Sequence, residues 1–382
     1  MTHNGLLACQ KSLQSDFDAL YRPGSMLRIV LTTIEKLDAV GTRSELWLLQ
    51  TNNSSIRFCI KEHKRGLQFE LNPDEAFLEA SRSLRMARRC RMAPIYFGIK
   101  ILRNDSVIRR PDFLREGDRV VLIMEFSQEL VTLSDVVEEE RTEGELSMRV
   151  RRALEATARD VAEFHKRKYL PRHRQTGHFT NDPRKLRDVY ALHLQGVKQR
   201  LQENFIGPRG VIMDPAAFDA IESLVNRSIV RLLKSGYRIR PRRGLGDCNP
   251  WNLHVVRTQL DNPDMSEIRT VAVDFDNSEY LEPGSDLSDL SVQWALAYYE
   301  SGGNPYYLNV WRHWFRSYQS CRPDPTITIG MLPNYGCKGT VFLNPTKMTG
   351  GDARVARYRR AFTAHLLKVL ECDEYMCAGF GE

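Results

Sequence analysis

The chain has 382 residues, of which 42% are apolar, and this excludes a disordered chain while allowing one large domain or two packed lobes. The net charge of +7 favours anionic ligands such as nucleotides or phosphorylated substrates, but no zinc-finger or RNA-binding motif is present, so we expect no nucleic-acid partner. The eight cysteines include no C-x-x-C pair, which argues against a zinc or redox motif. The apolar runs are too short for a membrane span and the first residues do not resemble a signal peptide, so we expect a soluble, cytoplasmic protein.

A strand-rich lobe is predicted near the start of the chain. Residues 1–26 form an N-terminal helix or extension, and three strands at 27–37, 44–51 and 56–63 follow as an antiparallel meander. A helix at 72–89 has Asn72 as N-cap and Pro73 at its first helical position. Strands at 93–101 and 119–127 complete a sheet of about five strands. Residues 27–127 are therefore predicted to form a small lobe.

Residues 128–382 are predicted to form a larger and mostly helical lobe. Apolar residues recur at helical spacing in the segments 147–168, 188–205, 218–236, 287–300, 306–320 and 351–370. Two short strands, 252–256 and 270–276, are expected to pair as a hairpin inside this lobe. A loop rich in proline and glycine is predicted at 322–351. A small sheet-based lobe followed by a helical lobe is an α+β architecture.

Polar residues gather at one end of the predicted hairpin. Asn252 lies at the start of its first strand, Asp274 stands at the end of its second strand, and Asp247 lies shortly upstream. An Asp and an Asn amide oxygen are hard oxygen ligands of the kind that Mg²⁺ prefers. Asp247 remains as a carboxylate that can orient a hydroxyl group and accept its proton. Taken alone, Asp247 and Asn252 are equally compatible with turn residues that cap a hairpin.

The segment "GLGDCNPWN" resembles the catalytic loop of the aminoglycoside phosphotransferase and choline kinase superfamily, which usually reads H-G-D-x-H-P-x-N. The segment "VDFD" resembles the metal-binding motif of the same family. These are the small-molecule kinases with the bilobal protein-kinase-like fold. The resemblance implies phosphoryl transfer from ATP to a hydroxyl, with Asp247 as the catalytic residue and Asn252 and Asp274 as ligands of Mg²⁺.

The resemblance also implies which residues bind the phosphates of ATP. Lys61, at the end of the third strand, is similar to the lysine that holds the ATP phosphates. Its expected partner on the following helix is Glu79 or Glu75, which share one face, and Glu79 fits the family spacing better. The phosphate loop would be "DAVGTRSELW", in which Gly41 permits the turn and Ser44 supplies a hydroxyl.

Further positions follow from the same resemblance. Glu125 and Phe126 occupy the place of the adenine-binding hinge. His165, at the end of the segment "DVAEFH", is expected to be a packed structural residue near the loop. The segment "GSDLSDLS" resembles a family motif whose aspartate holds the catalytic loop, and either Asp286 or Asp289 fits.

The sequence departs from the family at two positions beside the catalytic aspartate. Leu245 and Asn249 stand where the family usually has histidines, and Leu245 is expected to pack in place of a structural side chain. Cys248 is not expected to act as a nucleophile, because the substrate hydroxyl attacks directly in this family.

The acceptor is expected to be a small molecule such as an aminoglycoside, an amino alcohol or a sugar. A protein kinase is disfavoured, because no activation segment or A-P-E motif follows "DFD". A nucleotide-binding pseudokinase that acts as a scaffold, or an enzyme that modifies a protein, remains the alternative. The sequence does not specify the oligomeric state.

Overall fold

The structure is a computed structural model that describes residues 3–20, 30–37, 44–52, 57–63, 73–88, 90–94, 97–108, 114–125, 129–166, 195, 215–234, 242–273, 279–281, 283–324, 327–342, 362–366 and 368. The chain divides into two compact units. The first unit contains Met1–Val131, His254–Asp264 and Arg269–Ser278, and the second contains Thr132–Leu253, Met265–Ile268 and Glu279–Glu382.

The first unit is built on a six-stranded antiparallel sheet with the order β1-β2-β3-β6-β4-β5. Its strands are β1 (Leu31–Leu37), β2 (Ser44–Thr51), β3 (Arg57–His63), β4 (Phe97–Arg103), β5 (Ser106–Ile108) and β6 (Arg119–Glu125). The predicted meander of the first three strands is confirmed. The predicted count of about five strands is one too low, because β5 has only three residues. It pairs with β4 through a tight turn in which Asn104 and Asp105 have φ angles of 49° and 59°, the conformation of a two-residue hairpin turn.

Helix α1 (His3–Leu20) packs on this sheet. Leu6, Cys9 and Leu13 recur at helical spacing and are buried in one hydrophobic cluster with sheet residues such as Trp47 and Ile60. Burial of this apolar face is the main source of stability for an amphipathic helix. The N-terminal segment is therefore helical over its described part and contributes to the core of the first unit.

Helix α2 (Pro73–Ala87) lies against β4 and β6. Ala76 and Ala80, one helical turn apart, are buried against the sheet. The predicted start of this helix at Pro73 is confirmed. Glu75 and Glu79 each precede one of these alanines along the helix, and their side chains lie outside the described part of the structure.

Two small sheets complete the strand content of the described residues. One has the order β10-β9-β7 and contains β7 (Leu130–Thr132), β9 (Leu253–Val256) and β10 (Thr270–Ala272). The other is the antiparallel pair of β8 (Arg242–Gly244) and β11 (Glu279–Leu281). The two strands of the predicted hairpin are therefore neighbours, and β7 is a third strand that the sequence did not indicate.

The second unit is helical. It contains α3 (Leu133–Glu139), α4 (Met148–Lys166), α5 (Pro215–Lys234), α7 (Pro283–Glu300), α8 (Pro305–Cys321) and α9 (Ile327–Phe342), while the short α6 (Arg257–Asp261) belongs to the first unit. The helices predicted at 147–168, 218–236, 287–300 and 306–320 are confirmed. Only residue 195 of the predicted helix 188–205 is described, and residues 362–366 of the predicted helix 351–370 are helical. Among the described helices, none combines the length and hydropathy that crossing a bilayer requires.

The loop predicted at 322–351 is wrong, because residues 327–342 form α9. This helix contains Pro333 and several glycines, which usually indicate a loop. A Cβ atom on Gly339 would lie 2.4 Å from the side chain of Leu366, so this glycine permits close packing and does not mark a turn. Ser288 of α7 also donates a hydrogen bond to the backbone carbonyl of Met331 at 2.9 Å. Tertiary packing therefore overrides the low helix propensity of glycine and proline here.

Candidate active site

The loop from Leu245 to Asn252 joins β8 to β9 and contains Asp247. Gly246 has a φ of 78°, in the left-handed region that favours glycine, so the backbone can turn immediately before Asp247. The backbone carbonyl of Pro250 accepts a hydrogen bond from the N–H of Ser134, at the start of α3, at 3.1 Å. The segment that follows Asp247 is thus held by the backbone at the start of α3.

A buried carboxylate on α7 holds the start of this loop. The N–H groups of Leu245 and Gly246 donate to the two carboxylate oxygens of Asp286 at 2.7 and 2.8 Å. Asp286 is completely buried, and hydrogen bonds to an ionised carboxylate are stronger than neutral ones. Of the two aspartates that the sequence left open, Asp286 is therefore the one that contacts the loop.

His165 connects Asp286 to the helical core. Its Nε2 lies 2.9 Å from an oxygen of Asp286, and its Nδ1 lies 2.8 Å from the hydroxyl of Tyr318. The Tyr318 oxygen in turn accepts a hydrogen bond from Arg322 at 3.1 Å. These contacts are all satisfied when neutral His165 donates from Nε2 and accepts the tyrosine proton at Nδ1. His165 is fully buried, as expected for a structural residue.

Two asparagines orient Asp247. Asn249 donates from Nδ2 to one carboxylate oxygen of Asp247 at 3.1 Å, and Asn252 donates from Nδ2 to the other at 3.2 Å. Asn252 also donates to the backbone carbonyl of Asp247 at 3.0 Å. The side-chain oxygen of Asn249 accepts from the N–H groups of Trp251 and Asn252, so this residue caps the turn. The structure therefore brings Asp247 and Asn252 together, with Asp247 half-buried.

The side-chain oxygen of Asn252 has the chemistry of a ligand for a hard cation. Both bonds from its Nδ2 go to Asp247, and within the described residues its Oδ1 has no hydrogen-bond donor. An amide oxygen of this kind is a ligand that Mg²⁺ accepts. Among the described residues, no group of three or more His, Cys, Asp or Glu side chains could hold a metal ion. Asp274, the second predicted ligand, lies outside the described residues.

The side chains behind the loop are buried and not poised for nucleophilic chemistry. Cys248 is fully buried, and burial, reinforced by nearby carboxylates, raises its thiol pKa well above the usual value, so it stays protonated. Asp289 pairs with Lys338 of α9 at 2.8 Å, and among the described residues no hydrogen bond joins its side chain to the backbone of the loop. Burial raises the pKa of Asp289 to about 7 despite this ammonium group.

The predicted phosphate-binding lysine lies in the first unit. Lys61 is on β3, where it is opposite Leu46 of β2 and Leu122 of β6. This strand is central in the sheet, and the Lys61 side chain is half-buried. The backbone on which Lys61 stands is thus fixed on both sides by strand pairing.

The remaining predicted nucleotide residues are only partly described. Ser44 begins β2, but its side chain is outside the described part, as is that of Glu79 on α2. Gly41 and Phe126 also lie outside the described residues. The choice between Glu79 and Glu75 as the partner of Lys61 therefore stays a prediction.

Glu125 lies at the end of β6 and lines a small cavity in the first unit. The cavity encloses about 180 Å³, and its other lining residues include Glu129, Val256 and Arg269. Glu125 pairs with Phe58 across the sheet, so its backbone position is fixed by the strand.

Sequence reasoning missed two features of the loop. Asn249 stands where the motif that this loop resembles has a histidine, and the capping role of Asn249 had a signal, because asparagine commonly bonds the backbone two residues further on. The tie from Ser134 to Pro250 had no sequence signal, because it joins segments that are distant along the chain.

Neither a protein-family description nor a curated protein sequence matches the chain. Among solved structures, the chain is similar to an ethanolamine kinase from Plasmodium vivax, with 12% identity over 93% of this chain and 88% of that chain, at a TM-score of 0.50. It is also similar to a Ralstonia eutropha structure assigned to the aminoglycoside phosphotransferases, with 11% identity over 97% of both chains and a TM-score of 0.50. At such identities the similarity establishes the fold. The chain has the α+β bilobal protein-kinase-like fold that the motifs predicted.

Proposed function

We propose that the chain is an ATP-dependent phosphotransferase that moves the terminal phosphoryl group of ATP to a hydroxyl of a small molecule. The observation that carries this proposal is the loop in which Asp247 and Asn252 are bonded to each other while Asp286 holds the preceding backbone. In a kinase-like fold, a carboxylate and an amide held in this way match the parts that phosphoryl transfer requires.

Asp247 is the catalytic residue in this proposal. It orients the acceptor hydroxyl and takes its proton while the hydroxyl oxygen forms a bond to the terminal phosphorus. The bond from that phosphorus to the bridging oxygen breaks, and ADP leaves. Asn249 and Asn252 bond to opposite oxygens of the carboxylate, which fixes its plane while the half-buried side chain remains accessible.

Asn252 is proposed to bind Mg²⁺ together with Asp274. When bound, Mg²⁺ neutralises charge on the transferred phosphoryl group. The Oδ1 of Asn252 is suited to this role, because the amide nitrogen of the same side chain is already committed to Asp247. Asn252 would thus link the metal site to the catalytic carboxylate.

The nucleotide residues keep the roles that the resemblance implies. Lys61 would hold the ATP phosphates and pair with Glu79, with Gly41 and Ser44 in the phosphate loop and Glu125 and Phe126 at the adenine ring. The central position of Lys61 in the sheet supports this proposal, because positioning is most of the catalysis in phosphoryl transfer. We assign nucleotide binding to residues 27–127 and acceptor binding to 128–382, with 1–26 as an N-terminal extension.

The acceptor is proposed to be an aminoglycoside, an amino alcohol or a sugar-like molecule. The test is to incubate the purified protein with Mg-ATP and a panel of these compounds while ADP release is measured. We expect turnover on at least one compound, and the D247N variant should lower it on the order of 10³-fold or more. D264N is a suitable control, because Asp264 is exposed and lies outside the proposed site.

Two other results would change the conclusion. If Mg-ATP raised the melting temperature but no compound caused ADP release, a nucleotide-binding pseudokinase would be favoured. If Mg-ATP neither raised the melting temperature nor was hydrolysed, the proposed nucleotide site would be wrong.

A further inference from the structure

Trp251 differs from the other tryptophans of the chain in its exposure. Its side chain is 53% exposed, whereas the other four are at most 4% exposed. These are Trp47, Trp294, Trp311 and Trp314. A large aromatic side chain gains most of its stabilisation from burial, so an exposed indole in a polar loop contributes little to the fold. Its position calls for another role.

The backbone that carries Trp251 is held firmly on both sides. Its N–H donates to the side-chain oxygen of Asn249 at 3.1 Å, and the neighbouring Pro250 carbonyl accepts from Ser134 at 3.1 Å. Asn252, the next residue, is bonded to Asp247 through its side chain. The exposed indole is therefore presented from a constrained segment of the loop.

Trp251 is also close to the proposed catalytic carboxylate. Neighbouring Cα atoms lie about 3.8 Å apart, and the side chain of Asn252 reaches Asp247 at 3.2 Å. The backbone of Trp251 therefore lies in the same short turn as Asp247, and an acceptor ring held at this carboxylate is bound beside the segment that carries the indole.

We infer that Trp251 is an acceptor-binding residue, whose exposed indole stacks on the ring of a sugar or cyclitol that presents its hydroxyl to Asp247. This inference rests on the proposed function. The exposed half of an indole offers on the order of 100 Å², an area that a six-membered ring covers better than a short amino alcohol does. The C–H face of such a ring is apolar, and its hydroxyls project from the edge, where a carboxylate can bind one of them.

The side chain can be changed without disturbing the loop. Trp251 donates its hydrogen bond to Asn249 from its backbone N–H, which every residue except proline retains. Substitutions of exposed side chains usually change stability little. W251A and W251F should therefore fold, and M148A is a matched control because Met148 is an exposed apolar residue of the same unit.

The kinetic test measures ADP release from Mg-ATP with myo-inositol, glucose and kanamycin as ring acceptors and ethanolamine as the ring-free comparison. For a ring acceptor, we expect W251A to raise KM about 10-fold, which corresponds to the loss of one good stacking contact. W251F should retain part of the affinity, and KM for ATP should stay at the wild-type value in both variants. M148A should match the wild type throughout.

A second readout does not depend on turnover. Acrylamide quenches exposed indoles, so the accessible fraction of the wild-type fluorescence should come mainly from Trp251 and be absent in W251F. A saturating ring acceptor should protect that fraction, and ethanolamine at equal concentration should not.

The outcomes separate the two proposals. Turnover of ring acceptors with an unchanged KM in W251A, or turnover of ethanolamine alone, would overturn the role of Trp251 and leave the kinase proposal standing. Absence of ADP release with every acceptor in the wild type would overturn both. Raised KM in W251A together with fluorescence protection would establish the inference.

Discussion

Replacement of Asp286 by asparagine tests the contact that holds the loop carrying Asp247. In the structure, three donors meet the two oxygens of this carboxylate: the N–H groups of Leu245 and Gly246, and Nε2 of His165. Asparagine keeps the shape but has one acceptor oxygen and an NH₂ group. In either orientation of the asparagine side chain, its NH₂ group faces a backbone N–H, so two donors oppose each other. Histidine can relieve such a conflict by moving its proton to the other ring nitrogen, but a backbone N–H cannot.

The expected loss in the free energy of unfolding follows from the number of donors that lose their acceptor. One buried N–H left without an acceptor costs about 1–3 kcal/mol, and the remaining bonds lose the extra strength of a charged acceptor. We therefore expect D286N to lower the free energy of unfolding by about 2–4 kcal/mol. Because Asp247 directly follows the released N–H groups, a displacement near 1 Å should reduce kcat on the order of 10²-fold.

The assay compares D286N with D289N in urea unfolding and in ADP release with Mg-ATP and the best acceptor. Asp289 is a strong control, because it is on the same helix and is also buried, but its partner is Lys338. D289N should lose stability with a much smaller loss of kcat. Hydrogen exchange adds a readout that does not require activity, since the amides of Leu245 and Gly246 should exchange faster in D286N alone.

The reasoning would be refuted if D286N retained the wild-type free energy of unfolding and the wild-type protection of both amides. It would equally fail if D289N, and not D286N, released those amides. That pattern would mean that the loop is held by the other aspartate of the motif.

The remaining predictions concern the packing around α9. Replacing Lys338 by methionine removes the ammonium partner of the buried Asp289. Burial raises the pKa of Asp289 to about 7 even beside this cation, and removing the cation should raise the pKa further, so the variant keeps this carboxyl protonated near neutral pH. Urea unfolding should therefore show a small loss of stability below pH 7 and a loss that grows toward about 3–5 kcal/mol as the pH rises above 7, where only the wild-type carboxylate ionises beside a cation. G339A should destabilise the protein by about 1–3 kcal/mol, because the new Cβ would lie 2.4 Å from Leu366. The double variant with L366A should show a smaller cost than the sum of the single changes, and strict additivity would contradict the contact.

The elements with strong periodicity could be predicted from the sequence. Apolar spacing indicated a helix at 147–168, and α4 spans Met148–Lys166. The same reasoning failed at 327–342, because glycine has two uses that the sequence does not distinguish. Gly246 adopts a left-handed turn, whereas Gly339 allows two packed segments to approach. A glycine needed for a turn and a glycine needed for close packing are distinguished only by the segment that packs against them, and that segment is distant along the chain.

The candidate site shows a similar division. Asp247 and Asn252 could be paired from sequence, because their contact is local to one loop. The choice between Asp286 and Asp289 could not be made from the sequence. The two aspartates lie about one helical turn apart in the same motif, and their side chains have identical chemistry. The structure separates them through Leu245 and Lys338, their respective partners. Which carboxylate faces the loop depends on the tertiary placement of α7, to which local sequence gives no access.

The way the loop is held also accounts for Leu245, which stands where the kinase motif that this loop resembles usually has a histidine. Asp286 binds the backbone N–H of this residue and not its side chain, so the identity of the side chain does not determine the shape of the loop. The imidazole that supports the carboxylate comes from His165 on α4. Leu245 is 2% exposed, and a histidine in this buried space would need partners for both ring nitrogens, whereas leucine needs none. Leucine at this position is therefore compatible with the ordered loop that the proposed phosphotransferase activity requires.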